Sequence, residues 1–162
     1  MIRPKPEDLL ARAAEALEAT VLPFVNAGPA RRQLLAATAL MRRIAYALPR
    51  QFAVLAADTT DLETTLREVQ RHLEDAGAPD VPGMAALRAA LSQSAPTSPE
   101  ELQARNLTLQ EMAGRIEADA ASFSIDAAAR TEIDRTLQAF YRRTVERDLS
   151  LLPPGKVSAD AG

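Results

Sequence analysis

Residues 29–48 read PARRQLLAATALMRRIAYAL. Leu34, Ala37, Met41, Ile44 and Leu48 recur at three- and four-residue steps, which puts them along one face of a helix. Leu35 and Leu40 widen that face. Pro29 suits a first helical position, where its missing N–H has no intrahelical acceptor to lose. An apolar face this wide predicts a central helix touched on several sides, with Met41 in mid-stripe. Pro49 is expected to interrupt it, because a proline removes one helical hydrogen bond and crowds the carbonyl a turn back.

The same periodicity extends outward in both directions. Before this stretch, Leu10, Ala13, Leu17 and Val21 predict a helix from about Pro6 to Thr20, stopped at Leu22-Pro23. After it, residues 50–57 read as a short helical turn carrying Phe52 and Leu55. Asp58-Thr59-Thr60-Asp61 then offers several N-cap candidates. The helix they would open carries Leu62, Leu66, Val69 and Leu73 to about Asp75, with Gly77 as its terminator. Pro79 and Pro82 flank a loop, and a short helix spans residues 83–91 with Met84, Leu87 and Leu91 inward. Ser98-Pro99-Glu100-Glu101 is a start signal: a serine cap, proline next, and a glutamate completing a capping box. Leu102, Leu109, Ile116 and Phe123 follow at seven-residue spacing. Ser124 is positioned to cap a last helix to about Leu149, striped by Ile133, Leu137, Phe140, Tyr141, Val145 and Leu149.

Composition agrees with helices throughout. Ala supplies 33 of the 162 residues, while Val and Ile together supply 12, too few for a sheet. The expectation is an all-α helical bundle of four main helices plus one or two short ones. It forms a single domain over residues 1–152, followed by a flexible tail over 153–162.

Several function classes are excluded. The net charge of -3 disfavours a globally basic nucleic-acid binder, and aromatics at 4% with no Trp disfavour a base-stacking surface. Without cysteine there is no disulfide, thiolate metal site or Cys nucleophile. No segment reaches the ~18 apolar residues of a membrane span, and Arg3, Lys5 and Glu7 interleave with prolines where a secretory leader would be apolar. A cytoplasmic, bacterial-looking chain is expected. No phosphate loop, dinucleotide fingerprint or nucleophile elbow occurs. Catalytic residues, a metal site and a cofactor are therefore not expected.

Charge patterning supplies the site candidates. Between Ala19 and Ala57 stand Arg31, Arg32, Arg42, Arg43 and Arg50, with no acidic residue. Eleven residues make about three helical turns, so Arg31 stands above Arg42 and Arg32 above Arg43. Two short basic columns thus run beside the apolar stripe. Guanidinium forks suit carboxylates and phosphates. The columns read either as an anion site or acidic-partner surface, or as cross-helix partners for acids such as Glu15, Glu18, Glu63 or Glu132.

Three other groups read as structural. His72 lies at the margin of its apolar face with Glu68 and Asp75, and one helix alone seldom makes a selective metal site. Glu63-Arg67 and Glu68-Arg71 are simple helix pairs. Phe140-Tyr141-Arg142-Arg143 reads as a core aromatic pair flanked by solvated charges, or else as a partner-binding face.

Arg3-Pro4, Leu9-Leu10, Leu17-Glu18, Val21-Leu22-Pro23, the arginines and the run Ala36-Ala37-x-Ala39-Leu40 together resemble a family of small bacterial helical domains. That family occurs beside, or fused to, aminoglycoside-phosphotransferase-like kinases and acyl-CoA dehydrogenases. The resemblance covers about a third of the chain. It implies an accessory role near acyl-CoA or phosphoryl chemistry and carries over no catalytic residue. The functional expectation is a non-catalytic accessory or protein-interaction domain. Its partner would be another protein, such as an enzyme encoded nearby, or a second copy, with no nucleic acid and no membrane. The alternative is a bundle binding a small anionic, acyl-CoA-like molecule against Arg31, Arg32, Arg42 or Arg43.

Overall fold

The computed structural model of the protein describes residues 4–78 and 81–154. Five α-helices follow one another among the described residues: α1 (Pro6–Ala16), α2 (Pro29–Asp75), α3 (Met84–Leu91), α4 (Pro99–Asp119) and α5 (Ala127–Ser150). Among the described residues there is no strand, so the all-α class holds. Arg3, Pro79 and residues 155–162, most of the expected tail, lie outside the described residues. The chain divides into two compact units. One contains the chain up to Phe52 and from Asp148 onward, and the other spans Ala53–Arg147.

The Ala53–Arg147 unit holds the main core. Leu62, Leu66, Val69 and Leu73 of α2 meet Met84 and Leu87 of α3, Leu109 and Ile116 of α4, and Ile133, Leu137 and Phe140 of α5 in one buried cluster. Each helix contributes much of the stripe its periodicity predicts, because apolar residues three and four apart leave water together, but Val145 and Leu149 at the end of the α5 stripe are exposed.

Local signals set the helix ends in this unit. Gly77 takes φ +71°, Ala78 N–H donates to the Leu73 carbonyl (2.9 Å) and Gly77 N–H to that of Glu74 (3.0 Å), closing α2 in a Schellman motif. Ser98 Oγ accepts from Glu101 N–H (3.1 Å), and the Glu101 carboxylate reaches back to Thr97 N–H (2.7 Å). α4 therefore starts where the sequence placed it. α5 does not: its cap is Asp126, whose Oδ1 accepts from Ala129 N–H (2.7 Å), and not Ser124.

Pro49 does not end a helix. α2 runs 47 residues with Pro49 inside it. Pro49 has no N–H for the carbonyl a turn back. The next carbonyl, of Tyr46, accepts from Arg50 Nη1 (2.7 Å), whose guanidinium lies 3.9 Å from the centroid of the Tyr46 ring. The expected caps at residues 58–61 are likewise interior. Thr59 and Thr60 hydroxyls donate to the carbonyls of Leu55 (2.8 Å) and Ala56 (3.0 Å), a bond that leaves the helix intact. Asp58 and Asp61 are taken by arginines of α5.

The central position predicted for residues 29–48 belongs to residues 58–75 of the same helix. Of the apolar residues earlier in α2, Leu35, Leu40, Ile44, Leu48 and Phe52 are all exposed and Met41 is half-buried. Among the described residues of the first unit the buried side chains are small, Ala14 on α1 and Thr38 on α2. α1 runs on through a π turn, Leu17–Val21, into a 3-10 turn, Leu22–Phe24.

Candidate functional site

The two basic columns of α2 have different fates. Arg31 is half-buried and its Nη1 donates to the carbonyls of Leu22 (2.9 Å) and Val25 (3.1 Å), tying the 3-10 turn to α2. Arg42, three turns on, pairs with Glu18 at 2.5 Å. Glu18 was one of the acids expected to face these arginines. Both side chains of that pair stay partly in water, so it contributes under about 1 kcal/mol. Arg32 and Arg43 form the other column. Both are exposed and neither makes an ion pair with a described residue. The four candidate arginines thus split two and two, one column bonded within the first unit and one turned to solvent.

Beside the outward column runs the exposed apolar line. Leu40 is 56% exposed, Ile44 40% and Leu48 36%, each one turn beyond the last. Arg43 is the i+3 neighbour of Leu40 and flanks the near end of the line, and Arg32 lies about two turns before Leu40. Phe52 continues it at 54% exposure. A single exposed leucine needs no explanation, whereas several in register on one helix constitute a face. Sequence reading put these residues in the core. The signal against that was present: the apolar face is wider than one neighbouring helix covers, and arginines without a local acid stand on its edges.

The densest charge cluster lies in the other unit and is structural. Arg143 Nε and Nη2 grip Asp61 as a fork (3.0 and 2.8 Å), Arg147 Nη2 adds a bond to Asp61 Oδ2 (2.7 Å), and Arg147 Nε bonds Asp58. Burial raises the Asp61 carboxyl, and the hydrogen bonds and charges of Arg143 and Arg147 outweigh it, leaving it below the usual aspartate range. Glu63 pairs with Arg105 (2.5 Å) as well as with Arg67 (3.7 Å). Arg71 turns to Asp75 (3.2 Å) and not to Glu68. Phe140 is in the core, and Tyr141 packs at its edge and donates its hydroxyl to Glu117 (3.0 Å). Burial and that carboxylate push the Tyr141 phenol up.

Two of the clefts are poorly suited to a small molecule. One between α3 and α4, beside Met112, Arg115 and Asp119, measures about 200 Å³, below the ~300 Å³ at which ligand pockets begin. A larger open groove presents Arg67, Arg71 and Arg88, but each pairs with a carboxylate, Glu63, Asp75 and Glu74 respectively. Among the described residues no three His, Asp or Glu side chains are placed to hold a metal ion, the Glu68, His72 and Asp75 group included. No helix among them is long and apolar enough to cross a membrane. Comparison of the chain with protein-family models, with curated proteins and with solved structures finds no match.

Proposed function

We propose that the protein is a non-catalytic interaction module whose docking face is the line Leu40, Ile44 and Leu48 on α2. The observation that carries this reading is the exposure of three large apolar side chains on successive turns of one helix. Covering each one's exposed part is worth about 1 kcal/mol, so the line supplies a useful fraction of a micromolar affinity. Helices commonly bind partners by such a line, read every three or four residues. The resemblance of the first fifty residues to domains found beside kinases and acyl-CoA dehydrogenases makes an enzyme a fitting partner class. The alternative of a small anionic ligand draws less support, since Arg31 and Arg42 are already bonded within the unit.

The test compares the wild-type chain with Leu40→Asp/Ile44→Asp as immobilised bait. Both substitutions fall at exposed positions, so melting should change by only a few degrees. We expect a partner, identified by mass spectrometry, that the wild type retains and the variant loses. Identical capture by both baits would contradict the proposal.

A further inference from the structure

We infer that the occupant of this face is an amphipathic helix of another protein, with carboxylates spaced along one edge of its apolar stripe. The inference rests on the docking reading above and adds the partner's chemistry. Arg32 and Arg43 are eleven residues apart on one helix, hence about 16 Å along its axis. Both are exposed, and neither has an ion-pair partner among the described residues. Arg43 flanks the near end of the line of Leu40, Ile44 and Leu48, one turn beyond Leu40, and Arg32 lies about two turns before Leu40 on the same side of the helix. A straight line of this length matches a helix lying along it, whose own residues interdigitate at three- and four-residue steps. The two guanidiniums then call for two acidic side chains on the partner about eleven residues apart.

A second copy of the chain does not satisfy that requirement face to face. From Ala19 to Ala57 there is no Asp or Glu. An isologous pairing brings the same patch to itself, so arginine columns would meet arginines or neutral residues. Charge complementarity therefore selects an acidic partner. The apolar line would supply most of the affinity, and the arginines the choice of partner and the encounter rate.

The probe is a pair of synthetic helical peptides with the same leucine stripe. One carries Glu at two edge positions eleven residues apart, and its twin carries Lys there. Binding is followed by fluorescence anisotropy against the wild-type chain and against Arg32→Glu/Arg43→Glu, whose fold is checked by circular dichroism. On the wild type we expect the Glu peptide to bind about tenfold tighter than the Lys peptide, from two exposed pairs gained in place of two repulsions. On the charge-reversed chain the order should invert, and the difference should shrink as salt rises.

Equal binding of both peptides, lost in Leu40→Asp/Ile44→Asp, would overturn the acidic-partner inference and leave the docking face standing. No binding by either would overturn the inference and leave the face to be judged by the capture comparison. A dimer in light scattering that Ile44→Asp dissociates would overturn it in favour of a second copy. Flotation with phosphatidylglycerol vesicles, without binding of either peptide, would overturn it in favour of a membrane surface.

Discussion

Arg147→Ala removes the guanidinium that joins Asp58 and Asp61 of α2 to α5. Asp61 would keep its fork to Arg143, but Asp58 would lose the ion pair it makes. The Asp58 side chain is only 13% exposed, so its charge would be left largely desolvated. Breaking a fully buried pair from one side costs about 3–5 kcal/mol. The Arg147 side chain is 23% exposed, and water entering its place recovers part of that. The expected loss is about 2–3 kcal/mol, or a fall in Tm of about 5–10 °C for a chain of this size. Urea unfolding followed at the helical band of circular dichroism reads it directly. Arg135→Ala is the control: its pair with Glu132 is exposed on both sides, and its loss should stay within about 0.5 kcal/mol. Asp58→Ala/Arg147→Ala should cost less than the two single changes together, because neither charge is then stranded. An Arg147→Ala chain as stable as Arg135→Ala, or strict additivity in the double variant, would refute the clamp as a source of stability.

Leu66→Ala, at a fully buried core position, should cost about 2–5 kcal/mol in the same assay, whereas Met41→Asp, half-buried in the thin first unit, should cost clearly less. Asp61 holds its proton less tightly in the folded chain than in the unfolded one, so its contribution is complete above the usual aspartate range, about pH 4, and is lost as pH falls below it. Acid titration of stability should therefore show a steep decline there, shallower in Asp61→Asn. Ser98→Ala removes the side-chain cap of α4 and should cost about 1 kcal/mol, most of it regained by Ser98→Asp.

Where the chain's own local chemistry decides a feature, the sequence showed it. The Ser98 start of α4 and the Gly77 stop of α2 depend on groups within four residues, and both lie as read. The buried stripes of residues 62–73, 109–116 and 133–140 also matched, since periodicity identifies which residues seek cover. Pro49 and residues 58–61 were misread because local preference was overridden. Asp58 and Asp61 found α5 arginines more than 80 positions away. No window of sequence contains those partners. The exposed apolar line was misread for a different reason: Leu40, Ile44 and Leu48 have the pattern of residues that want burial. Pattern alone does not say whether the cover comes from the same chain. The arginine columns were legible as columns, but their division into a bonded and an outward pair depended on where Leu22, Val25 and Glu18 came to lie.

The chain has no cysteine, so single cysteines can report exposure without background. Leu40→Cys, Ile44→Cys and Leu48→Cys, compared with Leu66→Cys in the core, would be reacted with a maleimide under native conditions. The account predicts that the first three are labelled at nearly the rate of the unfolded chain. Leu66→Cys should be protected by a factor set by opening of the core. Protection of Leu40→Cys, Ile44→Cys and Leu48→Cys comparable to that of Leu66→Cys would show that this side of α2 is already covered, and would contradict the docking face.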